Sequence, residues 1–171
     1  MTAVVIRAAS QQDLDVLQRI EDDADSLFVE RFQPERWWPA PSGRERAASP
    51  GFILVVAGEG GVAVGFVHVI ETDGIAHLEQ LSVLPAMARR GLGRALVLAA
   101  MDEGARRGHQ EMTLRTYADV PWNAPFYAAV GFRPSEPATA FHRGLLAAEE
   151  GLGLSRYGRR LQMTADLSPA R

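Results

Sequence analysis

Leu81-Ser82-Val83-Leu84-Pro85-Ala86-Met87-Ala88-Arg89-Arg90-Gly91-Leu92-Gly93-Arg94 joins the end of a strand-like apolar run to the start of a helix-like one, through a loop holding two glycines. Glycine lets a backbone bend closely around a ligand, and the free amides of a helix N-terminus attract anions. Arg89, Arg90 and Arg94 add forked donors that suit phosphate oxygens. On these grounds the stretch reads as a pyrophosphate cradle. The competing reading is a glycine-flanked helix start with no ligand. A dinucleotide fingerprint does not fit, because it needs a small residue three positions after the second glycine and position 96 is Leu96.

Upstream, Phe52–Ala57, Val62–Ile70 and Ala76–Val83 read as three strands joined by the turn sequences Glu59-Gly60-Gly61 and Thr72-Asp73-Gly74. They predict an antiparallel meander, which is a further point against a dinucleotide loop opening a βαβ unit. Val4–Arg7 reads as a strand, followed by a helix whose start is marked by Ser10-x-x-Asp13 and whose apolar face carries Leu14, Leu17 and Ile20. Glu21-Asp22-Asp23-Ala24-Asp25 is expected at the end of that helix, and Gln33–Pro50, with four prolines and the pair Trp37-Trp38, as an irregular or short-helix segment.

Downstream, Leu92–Arg107 has helical apolar spacing and stops at Gly108. Glu111–Thr116 reads as a strand, Asn123–Val130 as a short helix closed by Gly131, and Arg159–Leu167 as a last strand. The order β-α-loop-β-β-β-α-β-α-β predicts an α/β (α+β) fold. Its sheet is mixed and mostly antiparallel, with flanking helices and a central β-α-β crossover between two parallel neighbours.

The 171 residues suit one domain. There is no cysteine, which removes disulfides and thiolate nucleophiles, and all 18 basic residues are arginine, which removes a Walker-type lysine. A net charge of −3 argues against nucleic acid as partner. No apolar run approaches the roughly 20 residues of a membrane span, and the N-terminus lacks a secretory pattern. The expectation is a cytoplasmic protein without a membrane partner. No spacing among the four histidines suggests a metal site, and His68 and His142 read as structural or surface residues.

Asn123-Ala124-Pro125-Phe126-Tyr127-Ala128-Ala129-Val130-Gly131-Phe132 places a tyrosine inside a short helix before a tight turn and a strand. Alone, Tyr127 reads as a core aromatic. Together with the arginine-glycine loop, this segment resembles the cofactor-binding half of the GNAT superfamily of acyl-CoA N-acyltransferases, firmly over Val62 to Phe132 and by element order elsewhere.

That resemblance implies a single GNAT-type domain over 1–171, with 76–132 as its acetyl-CoA-binding core and 21–50 as a variable acceptor-side segment. It implies acetyl-CoA or coenzyme A as cosubstrate, and no metal. Leu81, Ser82 and Val83 would meet the pantetheine arm through main-chain groups, and Arg89, Arg90, Gly91, Leu92, Gly93 and Arg94 the pyrophosphate. Ala88 stands where the family usually has Gln or Arg. Asn123 would cap its helix or contact the cofactor arm, although its spacing to the tyrosine is shorter than in many relatives.

Tyr127 maps to the family's general acid, which protonates the departing thiolate. The family often places a carboxylate base on the strand 76–83. Strict alternation would put His77, Glu79 and Leu81 on one face there, so Glu79 is the first candidate base and His77 the second. With no cysteine for an acyl-enzyme, direct attack by the amine is the simpler mechanism. The acceptor wall is expected from Glu21, Asp22, Asp23 and Asp25 with Trp37 and Trp38, since carboxylates and aromatic faces both attract ammonium groups. The acceptor is then an amine of a small molecule or a peptide, and a homodimer is a family-level expectation. A catalytically weak acyl-CoA-binding sensor is the alternative from another class.

Overall fold

The computed structural model describes residues 4–167. One seven-stranded sheet runs in the order β1-β2-β3-β4-β5-β7-β6. Its strands are β1 (Val5–Ala8), β2 (Gly51–Ala57), β3 (Ala63–Thr72), β4 (Ile75–Val83), β5 (Glu111–Tyr117), β6 (Arg133–Ser135) and β7 (Arg160–Asp166). Every neighbour pair is antiparallel except β4–β5. The β3–β4 turn carries positive φ at both Asp73 and Gly74, the geometry in which a tight hairpin matches strand twist. Parallel β4 and β5 need a crossover, and α3 (Leu92–Arg106) supplies it.

Strand alternation distributes the apolar residues over two layers. Leu54, Val56, Val67, Val69, Leu78, Met112 and Leu114 pack with Leu96, Val97 and Ala100 of α3. On the other face Ile53, Val55 and Phe66 pack with Leu14, Leu17 and Ile20 of α1 (Gln11–Phe32). β2 is therefore buried on both faces, as a strand covered by helices on each side should be.

α1 begins at the expected capping box, with Ser10 accepting from the Asp13 N–H and Asp13 accepting from the Ser10 N–H. It runs further than the sequence reading placed it. The acidic cluster 21–25 lies mid-helix, because Ala24 and Phe28 extend the inward stripe and the helix stops only at Gln33, in the left-handed region before Pro34. α2 (Gly43–Ala47) is a short helix inside the proline-rich segment. α4 (Ala124–Ala128) is the short tyrosine-bearing helix. The strand read after the tight turn at Gly131 is β6, a short edge strand that tolerates Pro134, whereas α5 (Ala140–Leu152), capped by Thr139 and stopped by Gly153, was not anticipated. Among the described residues, no helix is long and apolar enough to cross a membrane.

Candidate active site

β4 and β5 share only the rungs Ala76–Met112, His77–Thr113 and Leu78–Leu114. Beyond them the two strands splay, although β4 continues to Val83 and β5 to Tyr117. The gap opens into a cleft of about 1080 Å³. A bulge sits at the fork. His68 of β3 pairs with Gln80 and Val69 pairs with Leu78, so Glu79 is the extra residue. Such a bulge re-aims side chains and frees backbone groups from the ladder.

The bulge corrects the alternation expected for this strand. Leu81 packs into the α3-side core. His77 is turned to the opposite face, where it is 2% exposed and packs edge-on against Phe141 of α5 with ring centroids 5.3 Å apart. Its Nδ1 lies 2.8 Å from Thr113 Oγ1, and burial lowers its pKa to about 3. Glu79 lines the cleft, partly exposed, with its pKa raised by burial. His77 therefore stands behind Glu79, its Nε2 3.8 Å from Glu79 Oε2, and does not itself line the cleft.

At one end of the cleft, Arg89 (φ 60°) and Gly91 (φ 77°) turn the chain into α3. The first helical N–H with an intrahelical acceptor is that of Ala95, on Gly91 O at 3.0 Å, so the amides of Leu92, Gly93 and Arg94 have no partner within the helix. The Leu92 side chain is buried in the core, and only its backbone is available to a ligand. Gly93 faces Phe126, whose ring would lie 3.6 Å from a Cβ there. Leu81, Ser82, Val83, Arg89, Gly91, Leu92, Gly93, Arg94, Asn123 and Tyr127 all line this cleft, whereas Arg90 does not.

Tyr127 is 9% exposed and held edge-on by Phe126 and Phe132. Burial pushes its phenol above the ordinary range, so it carries its proton at neutral pH. Asn123 precedes α4 but makes no side-chain cap. Its Oδ1 instead accepts the Tyr117 N–H at 3.3 Å, which ties the end of β5 to the start of α4.

The far wall differs from the sequence reading in membership. Of the four acidic residues only Glu21 and Asp25 line the cleft. Asp22 accepts the Ala40 N–H at 2.8 Å, and Asp23 pairs at the surface with Arg19. Trp37 lines the cleft with its Nε1–H donated to Asp25 at 3.0 Å, whereas Trp38 is 58% exposed beneath the Arg36 guanidinium. Phe28, Tyr117 and Trp122 complete the aromatic wall, and Arg160 stands 4.5 Å over the Tyr117 ring. These residues were missed. For Phe28 the signal was its helical spacing from Ala24, which reads equally well as core. Arg46, on α2, is buried against Glu21 and reaches His68 Nδ1 at 3.3 Å. Burial raises Glu21 and lowers His68 to about 4. Among the described residues no group of three His, Asp or Glu side chains is placed to hold a metal.

Comparison with known proteins places this architecture. The model of the acetyltransferase (GNAT) family matches residues 17–132. Over 95 residues the chain is 35% identical to mycothiol acetyltransferase of Clavibacter sepedonicus, a match covering 55% of this chain and 31% of that protein. The chain thus spans about a third of that relative's length. Among solved structures, the ribosomal-protein-S18-alanine N-acetyltransferase of Escherichia coli superposes with a TM-score of 0.68 at 21% identity, covering 99% of this chain and 97% of that one. The PaiA N-acetyltransferase of Thermoplasma acidophilum, solved with coenzyme A, gives 0.66 at 16% identity, over 96% and 99%. At these identities the two structures are evidence of a common fold.

Proposed function

The chain belongs to the GNAT acetyltransferase family, and from that premise we propose that it transfers an acetyl group from acetyl-CoA directly to an amine of a small molecule or peptide. The observation that carries the reading is the fork itself. The splayed end of β4, the free amides of α3 and the buried Tyr127 converge on one cleft. The fit to coenzyme A rests on those consecutive N–H groups, with the Arg89 and Arg94 guanidinium groups alongside for a diphosphate. Acetyl-CoA would supply the thioester, and the rest of the chemistry falls to this chain's residues.

Main-chain groups of Leu81, Ser82 and Val83, unpaired with β5, orient the pantetheine arm and polarise the thioester carbonyl. Tyr127 holds its proton where the thiolate departs and donates it there. Glu79, whose pKa burial raises, takes the proton from the attacking amine. A buried, neutral His77 is poorly placed to do so, and we assign it a supporting position behind Glu79. Asp25, Glu21 and the rings of Phe28, Trp37, Tyr117 and Trp122 form a wall that attracts an ammonium group carried on an apolar body.

The test is a thiol-release assay with acetyl-CoA against a panel of primary amines: short peptides, polyamines and aminoglycosides. Release on at least one amine supports the proposal. Calorimetric binding of acetyl-CoA with no release on any amine favours the acyl-CoA sensor.

A further inference from the structure

Behind Glu79 runs a chain of buried polar groups that the reaction above leaves without a task. His77 Nε2 stands 3.8 Å from Glu79 Oε2, and its Nδ1 lies 2.8 Å from Thr113 Oγ1. The same hydroxyl lies 3.1 Å from His142 Nε2. His142 Nδ1 is 2.9 Å from Thr139 Oγ1, which also accepts the His142 backbone N–H as the cap of α5. His77, Thr113 and His142 are all buried, so the two inner links that join them are shielded from exchange with water.

With both rings neutral and the buried Thr113 proton in use, the chain has two polarities. In the first, protons point away from Glu79, and His77 turns a bare Nε2 lone pair toward the carboxylate. In the second, the Thr139 hydroxyl donates to His142 Nδ1, His142 Nε2–H donates to Thr113, and the Thr113 hydroxyl donates to His77 Nδ1. His77 then carries its single proton on Nε2, facing Glu79. Burial keeps both imidazoles neutral by lowering their pKa values. A charged Glu79 selects the second polarity, because an N–H dipole at that separation attracts a carboxylate and a lone pair repels it.

We infer that Thr113 and His142 are positioning residues: with the Glu79 carboxylate setting the polarity of their hydrogen bonds, they support His77 as the Nε2–H tautomer, which in turn holds Glu79 ionised, ready to take the proton of the acceptor amine. The inference rests on Glu79 as the base. Other charges also face that carboxyl. Glu149 on α5 raises it, Arg46 on α2 and Arg160 on β7 lower it, and Glu21 and Asp25 on α1 and Arg115 on β5 line the same cleft. Their combined effect leaves burial dominant and Glu79 raised. The His77 N–H opposes that rise from within the protein, without exposing Glu79 further to solvent.

NMR on the unliganded full chain tests this without knowledge of the amine. Long-range proton–nitrogen spectra report each histidine tautomer, and a carboxyl-carbon titration reports Glu79. The wild type should show His77 protonated at Nε2. Thr113→Val leaves His77 Nδ1 without its donor and should raise the Glu79 midpoint by about half a unit to one unit, and Thr113→Ser should restore it. His142→Phe, which keeps a ring on α5, should move the midpoint in the same direction. A wild-type His77 protonated at Nδ1, or a Glu79 midpoint unmoved in Thr113→Val, overturns the inference. The role of Glu79 is judged separately, by the pH–rate profile of Glu79→Gln on any amine that releases thiol. An unchanged profile there overturns the base assignment and leaves the tautomer result to stand on its own.

Discussion

Leu78 sits opposite Leu114, and that pair is the last rung β4 and β5 share. Both side chains belong to the α3-side core, so the fork is anchored at its vertex by apolar packing. Above the vertex the unpaired backbone of β4 needs other partners, because main-chain N–H and C=O groups left in a dry site are costly. A ligand that adds itself as a pseudo-strand satisfies them. The geometry thus favours an extended, amide-bearing chain between the strands, which is the chemical character of a pantetheine arm.

Tyr127→Phe removes one hydroxyl from a ring already fixed by Phe126 and Phe132. The packing survives, so acetyl-CoA affinity by calorimetry should change less than twofold. The maximal rate should fall by about 10²-fold, the usual worth of a positioned acid. A normal rate with a tenfold loss of affinity would give Tyr127 a binding role instead.

Gly91→Ala tests the cradle. Nothing lies within 4 Å of a Cβ at this position, so the substitution meets no clash. Its φ of 77° nevertheless disfavours any L side chain, at a cost of about 1–2 kcal/mol. The loop should relax away from the geometry that aims the α3 amides into the cleft. Coenzyme A affinity should drop about tenfold with the far-ultraviolet circular dichroism unchanged, whereas an unaltered dissociation constant would dissociate the loop from cofactor binding.

The strand–loop–helix unit was legible because its signals are local: an apolar run, two glycines at 91 and 93, then helical spacing. The bulge at Glu79 was not, since its register is set by His68 and Val69 on the neighbouring strand and no glycine or proline marks it. α5 was passed over although Phe141, Leu145, Ala148 and Leu152 recur at helical spacing between Thr139 and Gly153; in the fold only His142 along it is fully buried. Trp37 and Trp38 are neighbours in sequence, and what separates them is the reach of Asp25 to one indole, a contact between α1 and a loop.

Asp13 gives a pH-dependent handle on α1. It accepts hydrogen bonds from Arg7 and from the Ser10 N–H, and the Arg7 contact leads in lowering its pKa to about 2. A carboxyl depressed in the folded state contributes stability above its ordinary value of 3.8, and that contribution is lost as pH falls toward 2. Asp13→Asn should therefore lower the urea midpoint at pH 6. The gap from wild type should shrink steadily between pH 4 and pH 2.5. A gap independent of pH would show that the capping geometry, and not the charge, carries the effect.

Trp37→Ala addresses the acceptor wall. The indole stacks near Phe28 with centroids 6.2 Å apart, and Asp25 holds its Nε1–H. Its removal should raise the KM for the amine about tenfold and leave acetyl-CoA affinity unchanged, because Trp37 is held by Asp25 and Phe28 of α1, which packs on the opposite face of the sheet from α3.

The buried pair beneath that wall separates packing from charge. Arg46 faces Glu21, reaches His68, and keeps one buried nitrogen, Nε, without a partner. Arg46→Met alone strands Glu21 in an apolar setting, and breaking such a pair typically costs about 3–5 kcal/mol. Glu21→Gln with Arg46→Met removes both charges, so the double variant should melt well above the single one. Burial already pushes Glu21 upward, and without Arg46 its carboxyl should titrate higher still. Stability of Arg46→Met should then fall as pH rises above the ordinary carboxylate range, because the folded state holds a proton that the unfolded chain releases. Equal melting temperatures for the single and double variants across that range would show that Glu21 is not stranded, and that the pair serves the wall through packing.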